Sequence, residues 1–144
     1  MYKRQEVTID VPRDRVLELF DNRENMFKWQ EGLKSAEDIE GEPGQPGAKM
    51  RLVYDNNGRI VEMVETITIR NLPNEFSGIY EANNVWNKNE NFFHVEGDKT
   101  RWVNDTEFKC SGFMRVMVFF LPGVFKRQTL KTMNDFKDFA ESAA

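Results

Sequence analysis

The sequence predicts an α+β fold in the order β-αα-β6-α, an antiparallel meander framed by helices. Three observations predict it. Strand-like segments follow one another across the middle of the chain, separated by the turn signals DNNG, NLPN, ANN and EGDK. A helical stripe precedes them, and a second one closes the chain. With 144 residues, 40% of them hydrophobic and 12% aromatic, there is enough material for one sizeable core, so a single domain over residues 1–144 is expected.

The elements follow in order. Residues 3 to 10, KRQEVTID, alternate weakly and end at Val11-Pro12, a first strand running into a helix start with Asp10 as its N-cap. Val16, Leu17, Leu19 and Phe20 then form a helical stripe, and ENMFKWQ supplies a second short helix. LKSAEDIEGE reads as an acidic strand and PGQPGA as a loop before the meander. After Ser111-Gly112 the chain turns helical again. Pro122-Gly123 interrupts or kinks a long C-terminal helix carrying Phe125, Leu130, Met133, Phe136, Phe139 and Ala140.

Composition narrows the function. A net charge of -4 gives no general attraction to phosphate backbones, so no nucleic-acid partner is expected. The single cysteine, Cys110, forms no intramolecular disulfide, and with a single histidine, His94, it builds no ordinary zinc site; neither metal nor cofactor is expected, and the compartment is expected to be the cytoplasm. MYKRQEVTIDVPRD lacks the apolar run of a signal peptide. FMRVMVFFLPGVF, broken by Arg115 and Pro122-Gly123, is too short for stable membrane insertion.

Tight turns fix which residues oppose one another, and opposed residues share a face. Folding about Asn57-Gly58, a strong hairpin signal, sets Tyr54 against Val61, Leu52 against Met63 and Met50 against Glu65. Leu72-Pro73 sets Ile69 against Phe76, Ile67 against Gly78 and Glu65 against Tyr80. Asn83-Asn84 sets Tyr80, Gly78 and Phe76 against Asn87, Asn89 and Asn91. Gly97-Asp98 sets Phe93 against Trp102, Asn91 against Asn104, Asn89 against Thr106 and Asn87 against Phe108. The opposite face then carries Arg51, Glu62, Thr66, Thr68, Arg70, Glu81, Lys88 and Glu107, with Lys88 matched to Glu107 and Glu96 to Lys99.

The inner face is apolar at both ends and amide-rich in its middle. Burying an unpaired amide or hydroxyl costs roughly 1 to 3 kcal/mol, and a carboxylate costs more. Glu65, Tyr80, Asn87, Asn89, Asn91, Asn104 and Thr106 together therefore point to a cavity rather than a solid core.

Taken in order, VTIDVPRDRVLELFDN, the tryptophan of FKWQEGLK, GEPGQPGAKMRL, TRWVNDTEF and LKTMNDFKDFAE resemble the START-like/Bet v 1-like (SRPBCC) superfamily, in particular its bacterial polyketide cyclase/dehydrase and lipid-transport members. The resemblance spans nearly the whole chain. It implies a helix-grip fold, in which a curved seven-stranded antiparallel sheet wraps a long C-terminal helix, two short helices follow the first strand, and an apolar tunnel lies between. Because that family includes lipid and hormone binders, aromatase/cyclases and co-chaperone-like proteins, the resemblance implies no catalytic residue.

The residues favour a binder or carrier of a hydrophobic small molecule: a lipid, polyketide-like or isoprenoid compound. Glu65, Tyr80 and Asn89, with Tyr54, Asn91 and Asn104, set the polar end; Met63, Phe76, Trp102, Phe108 and Phe119 form the walls. A second reading is a cyclase or dehydratase using Glu65 and Tyr80 as its acid/base pair. A third is a protein-interaction module, or a homodimer, using Ile60, Val64, Ile79, Trp86 and Phe92 on the convex face. His94 is expected at the surface and Cys110 as a small hydrophobe. PGQPGA lacks the lysine and context of a phosphate-binding loop, and Pro122-Gly123 is a candidate tunnel gate.

Overall fold

The seven strands join into one sheet whose order follows from hairpin connections. In the computed structural model, which describes residues 2–82, 85–112 and 124–143, the elements are β1 (Tyr2–Ile9), α1 (Arg13–Phe20), α2 (Arg23–Trp29), β2 (Leu33–Glu40), β3 (Lys49–Asn56), β4 (Arg59–Asn71), β5 (Glu75–Ala82), β6 (Val85–Glu96), β7 (Lys99–Cys110) and the C-terminal helix α3 (Val124–Ala143). The sheet order is β1-β7-β6-β5-β4-β3-β2, antiparallel throughout. The expectations placed on the Asn83-Asn84 turn, Phe119, the Pro122-Gly123 gate and the Phe125 side chain lie outside the described residues.

Most of the cross-strand register follows the turns. Asn57 (φ 56) and Gly58 (φ 87) take the left-handed conformations that a two-residue hairpin needs, and Met50 pairs with Glu65, Leu52 with Met63 and Tyr54 with Val61. Tyr80, Gly78 and Phe76 face Asn87, Asn89 and Asn91; Phe93 faces Trp102 and Asn104 faces Asn91. Lys88 opposes Glu107 and Glu96 opposes Lys99, but the ion pairs form elsewhere: Lys88 reaches Glu90 (3.9 Å) and Arg101 reaches Glu96 (3.0 Å). His94 is exposed beside Arg101.

Two expectations are corrected. A β-bulge between Ile67 and Ile69 inserts Thr68, so Ile69 pairs with Ser77 rather than Phe76 and lies 38% exposed, while Arg70 pairs with Phe76 and comes to the inner side. Arg70 there donates to both Asp21 oxygens (3.1 and 2.5 Å) and to the Gly44 carbonyl (3.3 Å), with its guanidinium 5.8 Å from the Phe76 ring centroid. The N-cap of α1 is Pro12, not Asp10. Val11 is wholly buried and its carbonyl accepts from Thr100 Oγ1 (2.8 Å), which carries the chain past Asp10 before the helix begins.

The core lies where α1, α2, the sheet and α3 converge. Phe20 from α1 meets Phe93, Trp102 and Phe136 edge-on at centroid distances of 5.3, 5.6 and 5.4 Å and stacks near Trp29 at 6.0 Å. Phe136 also contacts Trp29 (5.0 Å) and Trp102 (5.5 Å), with Val7, Ile9, Val11 and Met133 filling the cluster. Phe136, 0% exposed, is the ring through which α3 is held. Phe136→Ala is expected to cost about 3 to 5 kcal/mol, read as a lower urea midpoint at unchanged m-value.

Candidate ligand cavity beneath the helix pair

A cavity of about 240 Å³ lies between the inner face of β3 to β6, the α1–α2 pair and the β2–β3 loop. Its apolar walls come from Phe20, Met26 and Trp29 on the helices and Met50, Ile67 and Phe76 on the strands. Gly78 opens space beside Ile67: a Cβ there would lie 3.0 Å from the Thr66 carbonyl oxygen, a crowded contact that glycine avoids next to the bulge. Asp21, Asn22 and Arg23 at the α1–α2 junction and Pro43 and Gly44 of the loop complete the wall. Arg70 ties junction to loop, and Arg23 is held by both oxygens of Asp38 (2.9 and 2.5 Å).

Glu65 reaches this cavity because inward positions alternate along β4 and Met50 and Tyr80 flank it across the sheet. Burial raises its pKa above the ordinary 4.5, while the Tyr80 hydroxyl and the Arg23 charge favour the ionised form and offset part of that rise. Tyr80 is pushed well above the usual phenol range, first by burial and then by the neighbouring Glu65. Tyr54 is also raised by burial, and its hydroxyl donates to Gln30 Oε1 (2.6 Å), so it fixes the end of α2.

The amide-rich middle divides in two. Glu65, Tyr80 and Asn91 line the cavity, whereas the remaining groups hydrogen-bond among themselves. Asn89 Nδ2 donates to Asn87 (2.9 Å), Asn104 Nδ2 reaches Asn89 (3.1 Å) and Asn91 (2.7 Å), and the single hydroxyl proton of Thr106 is shared between Asn89 Oδ1 (3.0 Å) and Asn104 Oδ1. Trp102 Nε1 donates to Asn91 Oδ1 (2.9 Å). A cavity is therefore not needed to explain Asn87, Asn89, Asn104 and Thr106, because a ladder of cross-strand amides satisfies them.

Among the other residues considered from sequence, Phe76 lines the cavity. Met63 is half-buried on the inner face outside the wall, and Trp102 and Phe108 are buried in the sheet's interior. The convex candidates do not form an open apolar patch. Ile60 is 62% exposed, but Val64, Ile79, Trp86 and Phe92 are half-buried, and Lys109 Nζ covers the Trp86 ring at 4.7 Å.

Sequence reasoning missed the helical wall. Met26 and Trp29 stand three apart on α2, a spacing that puts both on one face, but strand register says nothing about where that face lands. Trp29 carries a further feature: its Nε1–H is buried without a hydrogen-bond partner among the described residues, a condition that costs about 1 to 3 kcal/mol. Among the same residues, no group of three His, Cys, Asp or Glu side chains gathers as a metal site, and no helix is long and apolar enough to cross a membrane.

This architecture is the Bet v 1-like helix-grip fold. No family model and no curated protein matches the sequence. Solved structures match its shape over nearly the whole chain. A conserved protein from Geobacillus kaustophilus superposes with a TM-score of 0.82 at 12% identity, covering 99% of this chain and 97% of that one. The Zhui aromatase/cyclase from Streptomyces sp. R1128 gives 0.76 at 17%, covering 98% and 93%. Ara h 8.0201 gives 0.77 at 15%, covering 99% and 98%. At these identities the likeness is one of fold.

A pH dependence follows from Glu65. Below its ordinary pKa the carboxyl is protonated in folded and unfolded chains alike. As pH rises the unfolded chain ionises first, and stability is lost through the window up to the raised folded value. Urea unfolding of the protein and of Glu65→Gln between about pH 4 and 8 should show the native protein losing ground to the variant as pH increases. Parallel curves would mean that the carboxyl is solvated.

Proposed function

We propose that this chain binds and carries a hydrophobic small molecule in the cavity beneath the helix pair. The observation that carries the reading is a space of about 240 Å³ walled by Phe20, Met26, Trp29, Met50, Ile67 and Phe76, with the Glu65 carboxyl and Tyr80 phenol at its inner wall and the polar side chains of Asp21, Arg23, Gln30 and Asn91 at its edges. An apolar cavity of about 150 Å³ accepts benzene, so this volume suits a compact molecule of about two fused rings better than a long acyl chain. The polyketide-like and isoprenoid classes are favoured over extended lipids on that ground. The described walls come from α1, α2 and the sheet rather than from the C-terminal helix, because Trp29, Trp102 and Phe136 fill the space that α3 faces.

A second reading, a cyclase or dehydratase, is favoured by the Glu65 carboxyl, its pKa raised by burial, beside the Tyr80 hydroxyl in the cavity wall. The two readings separate on Glu65→Gln: a carrier keeps its ligand with no turnover to lose, whereas an enzyme binds and ceases to turn over.

Native mass spectrometry of the purified chain, followed by organic extraction, tests the binding itself. A co-purifying apolar compound is expected. Met50→Trp, which places an indole in the cavity wall, should weaken its retention about tenfold or more. Equal retention by Met50→Trp would place the ligand elsewhere.

A further inference from the structure

We propose that Glu65 and Gln30 form a hydroxyl-recognition site at one end of the cavity, selecting an uncharged, compact ring alcohol that exchanges hydrogen bonds with the carboxyl and accepts from the amide. The inference rests on the reading of the cavity as a binding site. Tyr80 is the one hydrogen-bonding neighbour of Glu65 among the described residues, and a phenol has a single proton to give to a carboxyl with two oxygens. Both side chains are half-buried and line the cavity, and no Glu65 oxygen is at once unpartnered and sealed from a water-sized molecule. Gln30 supplies the donor. Its Oε1 is taken by the Tyr54 hydroxyl at 2.6 Å, which leaves Nε2 as the free end of the amide, without a hydrogen bond among the described residues and open to a guest. Tyr54 sets the two groups at the same end, since its hydroxyl holds Gln30 while its phenol lies within the field of the Glu65 charge.

The other polar groups of the wall are engaged or distant. Asp21 accepts from Arg70, which lies outside the wall, and Asn22 Oδ1 accepts from the Asn25 backbone N–H. Arg23 is gripped by both oxygens of Asp38, and its charge already acts on Glu65, so the carboxyl has a cation in its field without one from a guest. Asn91 pairs with Phe76, four residues along β5 from Tyr80. That span of about 13 Å is too long for one guest atom to bridge. The Phe76 end is aromatic, with Phe20 lying 6.1 Å from Phe76 and 6.0 Å from Trp29. The cavity therefore suits a ring with a polar group at one end. A ring carbonyl serves only a protonated Glu65 and a protonated amine only an ionised one, whereas a hydroxyl serves both and still accepts from Gln30.

The test uses four compounds of one skeleton, 2-tetralol, 2-tetralone, 2-aminotetralin and tetralin, titrated into the full chain near neutral pH by calorimetry and by NMR of the side-chain amide resonances. Tetralol is expected to bind at least about fivefold more tightly than each of the others and to shift the Gln30 amide pair further than tetralin does. Glu65→Leu, which removes the carboxyl, is expected to bring tetralol to within about twofold of tetralone, while Glu65→Gln, which keeps an acceptor oxygen, retains the order. Tetralone, aminotetralin or tetralin binding as tightly as tetralol, an unmoved Gln30 pair, or an undiminished preference in Glu65→Leu would overturn the inference and leave the cavity as a binder of other selectivity. Binding of none of the four would overturn both the inference and the reading it rests on. If Glu65→Leu fails to fold, the order of affinities and the Gln30 resonances of the native protein still decide.

Discussion

Phe20 is the ring on which the layers of this fold meet. It ends α1 and touches one partner from each neighbouring unit: Trp29 of α2, Phe76 and Phe93 of adjacent strands, Trp102 of β7, and Phe136 of the C-terminal helix. Edge-to-face contacts of this kind add specific geometry to the burial itself. The position of the helix pair over the sheet follows from that cluster. With α1 and α2 anchored at their aromatic ends, the junction between them, Asp21 to Arg23, is left over the inner face of β3 to β6, where nothing comparable among the described residues fills the gap. The cavity is the space that remains between an aromatic anchor on one side and the β2–β3 loop on the other.

The polar groups of the sheet sort themselves by distance from that space. Those under the core, Asn87, Asn89, Asn104 and Thr106, exchange hydrogen bonds along and across β6 and β7. Those beside the cavity, Glu65 and Tyr80, are raised in proton affinity first by burial, and the hydrogen bond between them favours the ionised carboxyl and the protonated phenol. Asn91 belongs to both groups, accepting from the ladder while lining the cavity.

The sheet was legible because turns are local. Asn57-Gly58 sets the β3–β4 register through two left-handed residues, and Gly97-Asp98 sets β6–β7 with Gly97 alone left-handed (φ 61); each needs only its own few residues to be read. Glu65 at the inner face followed from that logic. The helix pair was legible as helix, through the stripe ending at Phe20 and the segment ENMFKWQ, but not as a wall, because where its Met26–Trp29 face lands depends on contacts far away in sequence. The amide ladder escaped for a related reason. Alternation tells which residues share a face; only coordinates tell whether neighbouring amides are turned to satisfy one another.

The extra residue in β4 changes the meaning of odd and even along that strand. From Val61 to Ile67 the odd-numbered side chains belong to the interior; beyond Thr68 the parity reverses, and Arg70 is inside while Ile69 is out. Residue count at this point is thus a structural variable in its own right. Removing one residue would exchange the two sides of the strand's end, sending the guanidinium that joins Asp21 to Gly44 into solvent and an isoleucine into its place. No single substitution makes that exchange, so the strand's length here encodes the lip of the cavity as firmly as any side chain does.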